Sequence, residues 1–145
     1  LINNCVIRTK NVSECWWGFA EPINIASINR KDEIPSGKIK GLSITNVRCK
    51  GEGSIYIAGK DSAPIEDLTL NNIRLELEKT TKYPIKGYDF RPCCGPDFQE
   101  GKINGIYVKN AKYVKAENLE VTVHDNMKEW VDKEICFENA VVKEK

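Results

Sequence analysis

An all-β fold, a parallel β-helix of stacked coils, is what this sequence predicts. Three observations carry the expectation. The pattern Ile-x-x-Leu-x-Ile-x-Asn-Val of residues 39–47 returns along the chain, a second short apolar segment follows most copies, and helical periodicity is nearly absent.

The copies justify the elements in order. "LINNC" at the start carries the tail of the pattern as Ile2, Asn4 and Cys5. In "IKGLSITNV", Leu42, Ile44 and Asn46 follow the period of two of a strand, with Ile39 three residues ahead and Val47 after the asparagine. "IEDLTLNNI" (65–73), "INGIYVKNA" (103–111) and "ICFENAV" (135–141) repeat it, so asparagines fall at 4, 46, 72, 110 and 139. Second strands are expected at 21–28, 53–59, 87–92 and 117–123. The one helical candidate is 125–135, where Asp125 or Asn126 would cap a helix whose Met127, Trp130 and Val131 share a face. Strands of this kind stacked coil on coil would pile Ile, Leu and Val inside. An asparagine at each corner would stack its amide on the next. A propeller or β-sandwich would need hairpin turns between strands, whereas Asn104-Gly105 falls inside a copy of the pattern.

Composition sets the bounds. The chain of 145 residues is long enough for one domain spanning 1–145 with a sizeable core. Its net charge of +1 gives no sign of a nucleic-acid surface, and no apolar run approaches membrane-spanning length. Cys5, Cys15, Cys49, Cys93, Cys94 and Cys136 are irregularly spaced, so free thiols are expected over disulfides, which an oxidising compartment would permit. With His124 the only histidine and no Cys-x-x-Cys pair, no metal or other cofactor is expected. Asn11-Val12-Ser13 matches a glycosylation acceptor, a pattern common by chance.

"WWGFAEPINI", "GKIKGLSITNVRCKGEGSIYIAG", "IEDLTLNNIRLELEKTTKYP" and "YDFRPC" together resemble the C-terminal coils of bacterial glycoside hydrolase family 28, the polygalacturonase-like enzymes. The resemblance covers essentially the whole chain in order. It implies a right-handed parallel β-helix, truncated at the N-terminus, from an enzyme that hydrolyses pectin or a related uronic-acid polysaccharide with inversion. In that family carboxylates protonate the leaving oxygen and activate water. Its Asn-Thr-Asp, Asp-Asp, Gly-His-Gly and Arg-Ile-Lys motifs are absent here, so no catalytic residue is assigned and the catalytic coils are expected upstream of Leu1. The fragment alone is expected to be inactive.

Substrate-binding candidates are Trp17, Glu21, Arg30, Tyr88, Asp89 and Arg91. Trp16 and Trp17 suit either sugar stacking or a loop anchor. Glu21 could accept sugar hydroxyls or pair with Arg30. Arg30 and Arg91 match a uronate carboxylate, while Asp89, two positions from Arg91, is the structural partner for it. Tyr88 reads equally as packed aromatic or sugar platform. Lys38 and Lys40 in "KIK" fall in the repeat frame, and His124 reads as an exposed strand-end histidine. The partner expected is a polysaccharide, not nucleic acid or membrane. The compartment is left open, with secretion or the periplasm suggested by the family. The alternatives are a non-catalytic carbohydrate-binding or structural β-helix, or a β-helix polysaccharide lyase.

Overall fold

The computed structural model describes residues 1–14, 18–29, 31, 34–91 and 98–142. These are mostly strand, joined by turns, with a parallel sheet that curls round the core. Strands β1 (Ile2–Arg8), β2 (Ile23–Ala26), β3 (Ser43–Gly51), β4 (Ile55–Ala58), β5 (Ile65–Glu66) and β6 (Thr69–Leu77) come first. After them come β7 (Gly87–Asp89), β8 (Phe98–Glu100), the long β9 (Ile106–Val123) and β10 (Ile135–Val142).

The chain passes alternately through two parallel sets. β1, β3, β6 and the last part of β9 pair in that order. β2, β4, the first part of β9 and β10 pair in theirs. Because β9 runs through both, the sets join into one sheet.

Inward residues form the expected ladders. Ile44 sits beside Leu70, Val47 beside Ile73 and Cys49 beside Leu75, all buried. In the other set Ile55 meets Ile106 and Ile57 meets Val108. Each fully buried aliphatic side chain contributes about 1.5–3 kcal/mol relative to exposure. The end rungs are less covered: Ile2, Cys5 and Ile7 on one side, and Ala116, Leu119 and Val121 on the other, are only half-buried.

Asparagines turn the strands, as the repeat predicted. Asn4, Asn46 and Asn72 hold φ of 55°, 53° and 53°, a left-handed conformation that asparagine tolerates. Asn72 Nδ2 donates to Asn46 Oδ1 at 2.9 Å, and Asn46 Nδ2 to Asn3 Oδ1 at 3.4 Å. The fourth corner of this row is Asn118 (φ 53°), not Asn110. Asn110 and Asn139 form a separate corner in the other set, where Asn139 Nδ2 donates to Asn110 Oδ1 at 2.7 Å. Segments 103–111 and 117–123 therefore exchange the sheets expected of them. Both carry a two-residue period, which fixes the inward face but not which sheet the strand joins.

Two further expectations change. Residues 87–92 were expected as a second strand of a coil, but β7 pairs antiparallel with β8 outside the main sheet. The 125–135 helix is one 3-10 turn, Asp125–Met127, with no side-chain cap at His124. Met127 is buried while Trp130 and Val131 pack against the core, so the apolar residues are anchored without a helix. Cys5, Cys49 and Cys136 are free thiols, and burial pushes Cys49 up to about 11. Cys15, Cys93 and Cys94 lie outside the described residues.

Candidate functional site

Two stretches far apart in sequence meet at one place. After β1 the chain turns through Gly18 (φ 92°) and Ala20 (φ 63°), and Thr9 Oγ1 donates to the Ala20 carbonyl at 2.6 Å. The turn lies directly on Gly53, where a β-carbon would come within 2.5 Å of the Glu21 nitrogen. Only glycine leaves that space. Gly18 N–H then donates to Asp89 Oδ2 at 2.8 Å, joining this loop to β7.

Asp89 is nearly fully buried, and its charge is met by several donors. Arg91 supplies its backbone N–H at 2.9 Å, Nε at 3.0 Å and Nη2 at 2.7 Å. Burial alone would raise the carboxyl; the Arg91 guanidinium and the two N–H groups outweigh it and hold Asp89 below its ordinary range. The guanidinium in turn lies over the Phe98 ring, 4.6 Å from its centre, and Phe98 packs on Phe19 at 6.0 Å. Asp89 and Arg91 are thus the pair expected from their spacing.

Glu21 behaves in the opposite way. Its Oε2 accepts the Phe19 N–H at 2.7 Å, while its buried Oε1 has no hydrogen-bond partner among the described residues. Burial raises this carboxyl above the usual range, its own and the Phe19 backbone bonds oppose the shift, and the nearby Asp89 charge adds to it. Two neighbouring carboxyls shifted in opposite directions, Glu21 up and Asp89 down, are the electrostatic character of the site.

The structure therefore gathers Glu21, Asp89 and Arg91 of the six candidates. Trp17 and Arg30, with Trp16, lie outside the described residues, so the Glu21–Arg30 pairing does too. Tyr88 is corrected as a sugar platform. It is 2% exposed, stacked on Tyr56 at 4.8 Å and Tyr107 at 5.3 Å, and its hydroxyl accepts the Asn104 N–H at 2.7 Å. The three rings close into one buried cluster, Tyr56 and Tyr107 themselves 5.6 Å apart, which leaves the Tyr88 ring no surface for a sugar.

Lys38 is exposed, and Lys40 lies by Glu66 and Asp67 at 3.8 and 3.6 Å. His124 is half-buried and bonded to Glu76 at 2.8 Å, so it is not the isolated exposed histidine expected. Glu76, Glu78 and His124 are the metal-ligand types that come together among the described residues. Lys50 Nζ already lies 2.8 Å from each carboxylate there.

One buried carboxylate escaped the reading of the sequence. Glu52, fully buried, receives Lys79 Nζ at 2.6 Å and the hydroxyls of Thr80 and Thr81 at 2.6 and 2.8 Å. Burial would raise it, but Lys79 and the two threonines win and lower it. An acid between two glycines at the end of β3, with Lys-Thr-Thr just after β6, was the available signal. It fixes a loop.

No protein family, curated protein or solved structure matches this chain.

Proposed function

We propose that these residues are coils of a right-handed parallel β-helix belonging to a polygalacturonase-like hydrolase of pectin or a related uronic-acid polysaccharide. One observation supports the reading above the others. Two of the four stretches that carry the resemblance to glycoside hydrolase family 28, those containing "GFAEPI" and "YDFR", are 71 residues apart at Gly18 and Asp89 and meet there in a hydrogen bond. Motifs that merely marked coils would have no reason to converge. The parallel pairing of alternate strands is consistent with coils wound in one sense, and parallel crossovers are right-handed in nearly all proteins.

Within the proposal this junction shapes one wall of a carbohydrate groove, with the Arg91 guanidinium placed by Asp89 and the Phe98 ring. Hydrolysis itself is assigned to carboxylates outside this sequence, because Asp89 is saturated by donors and the unpartnered oxygen of Glu21 is buried. The same saturation favours a second reading, a carbohydrate-binding β-helix without catalysis. Reducing-end release from polygalacturonan by the longer protein, with inversion at the anomeric carbon, is the expected result. Binding without release would select the second reading. Unsaturated uronate products would mark a lyase and overturn both.

A further inference from the structure

The outer face of the first strand set carries an open trough of about 510 Å³ that the proposed function does not use. Its lining follows from register. Along one line across the strands Val6, Arg48, Arg74 and Glu120 are neighbours; two residues on, the line is Arg8, Lys50, Glu76 and Thr122. Neighbouring strands lie about 4.8 Å apart, so Arg8, Arg48, Lys50 and Arg74 form one block of cations. Glu76 and Glu120 stand on the far bank.

Like charges placed directly opposite on a sheet are destabilising, and here Arg48 faces Arg74 and Arg8 faces Lys50. Part of this charge is answered within the chain. Arg74 pairs with Glu120 at 3.0 Å, and Lys50 with Glu76 and Glu78 at 2.8 Å each. Arg8 and Arg48 are exposed and make no ion pair among the described residues. The uncompensated cations therefore sit together on one bank. A smaller hollow of about 290 Å³ between Asn46, Arg48, Asn72 and Arg74 places exposed amides beside them.

We propose that this trough binds an acidic glycan. Its carboxylate or sulfate groups would lie against Arg8 and Arg48, where guanidinium offers paired donors. Its hydroxyls would donate to Glu76 and Glu120 and exchange hydrogen bonds with the Asn46 and Asn72 amides. Val6, 73% exposed at the same rim, offers an apolar contact to sugar C–H groups. The mixed lining disfavours nucleic acid: the two glutamates would repel a continuous phosphate backbone, and among the described residues no aromatic side chain lines the trough for bases to stack on. The inference goes beyond the proposed function. The trough lies on the first strand set and the Asp89 junction on β7, outside both sets, and the trough could dock a glycan whether or not the protein hydrolyses one.

Calorimetric titration of the 145-residue chain tests it, with oligogalacturonate, a sulfated heparin oligosaccharide, neutral dextran and duplex DNA as probes. At least one acidic glycan is expected to bind, more weakly as salt rises, and dextran is not. The relative affinity of the two acidic glycans identifies the anion. The double substitution Arg8→Gln with Arg48→Gln, both on exposed side chains, should weaken binding by about tenfold or more. Lys86→Gln with Lys102→Gln, removing the same charge near β7 and β8, should leave it unchanged. Failure of both acidic glycans to bind, tighter binding of DNA, or equal losses in the two double variants would overturn the proposal. None of these outcomes depends on reducing-end release, so failure here and failure of the hydrolase reading are separable.

Discussion

Asn72 combines two contributions that substitution can separate. It holds φ at 53° and its amide donates to Asn46 at 2.9 Å. Asn72→Ala keeps a β-carbon in the left-handed region without the short polar side chain that eases it there, and removes the amide, a loss of about 1–3 kcal/mol. Asn72→Gly accepts the backbone angle and removes only the amide, a loss of about 1 kcal/mol. Urea unfolding of the two variants should rank them in that order; equal losses would mean that the corner needs no left-handed residue. Glu21 offers a second test. Its folded carboxyl is raised from the ordinary 4.5, so the folded state holds the proton more tightly than the unfolded chain. The stability it contributes is complete below 4.5 and is lost as pH rises through the raised folded value. Glu21→Gln, which keeps an acceptor for Phe19, should therefore be more stable than the parent near neutral pH and lose that advantage in acid. Asp89, being lowered, contributes in the reverse sense and is lost on acidification below its ordinary 3.8. Both residues were legible as site candidates from sequence. Their opposite shifts were not, because these depend on burial and on Arg91 approaching one carboxyl and not the other.

The strands were legible where side-chain alternation and an asparagine corner coincide, as at β3 and β6. They were less so at β9, where Asn110 and Asn118 each turn the chain and the repeat offers two frames of equal quality. The β7–β8 hairpin was hidden for a different reason: three-residue strands carry too little alternation to declare their partner. Its weak point is Gly87, at φ 119° with an added β-carbon falling 1.9 Å from the Gln99 carbonyl oxygen. That oxygen belongs to the partner backbone and cannot move without parting the strands. Gly87→Ala should therefore cost about 2–4 kcal/mol and open the hairpin. Hydrogen exchange is the measurement: backbone amides of 87–89 and 98–100 should lose protection while β3 and β6 keep theirs. Uniform loss across the sheet would show instead that the hairpin and the parallel sheet unfold as one unit.

Across the described residues, burial falls from the middle of the parallel sheet toward its edge strands. Ile44, Val47 and Cys49 are buried, yet their neighbours in register or on the same face, Ile2, Cys5 and Ile7, are half-buried along the unpaired edge of β1. That edge offers a row of backbone donors and acceptors with no strand partner among the described residues, beside apolar side chains, the combination that recruits another strand. A net charge of +1 supplies little repulsion between molecules. The 145-residue chain is therefore expected to self-associate through β1 as its concentration rises. Ile7→Lys should suppress this, because an inward charge at the end rung can reach solvent in the monomer but would be trapped against an added strand. Sedimentation velocity over a concentration series separates the cases. A parent chain that stays monomeric throughout refutes the expectation. Association undiminished in Ile7→Lys would move the interface to the opposite end, where Leu119 and Val121 form the corresponding half-covered rung.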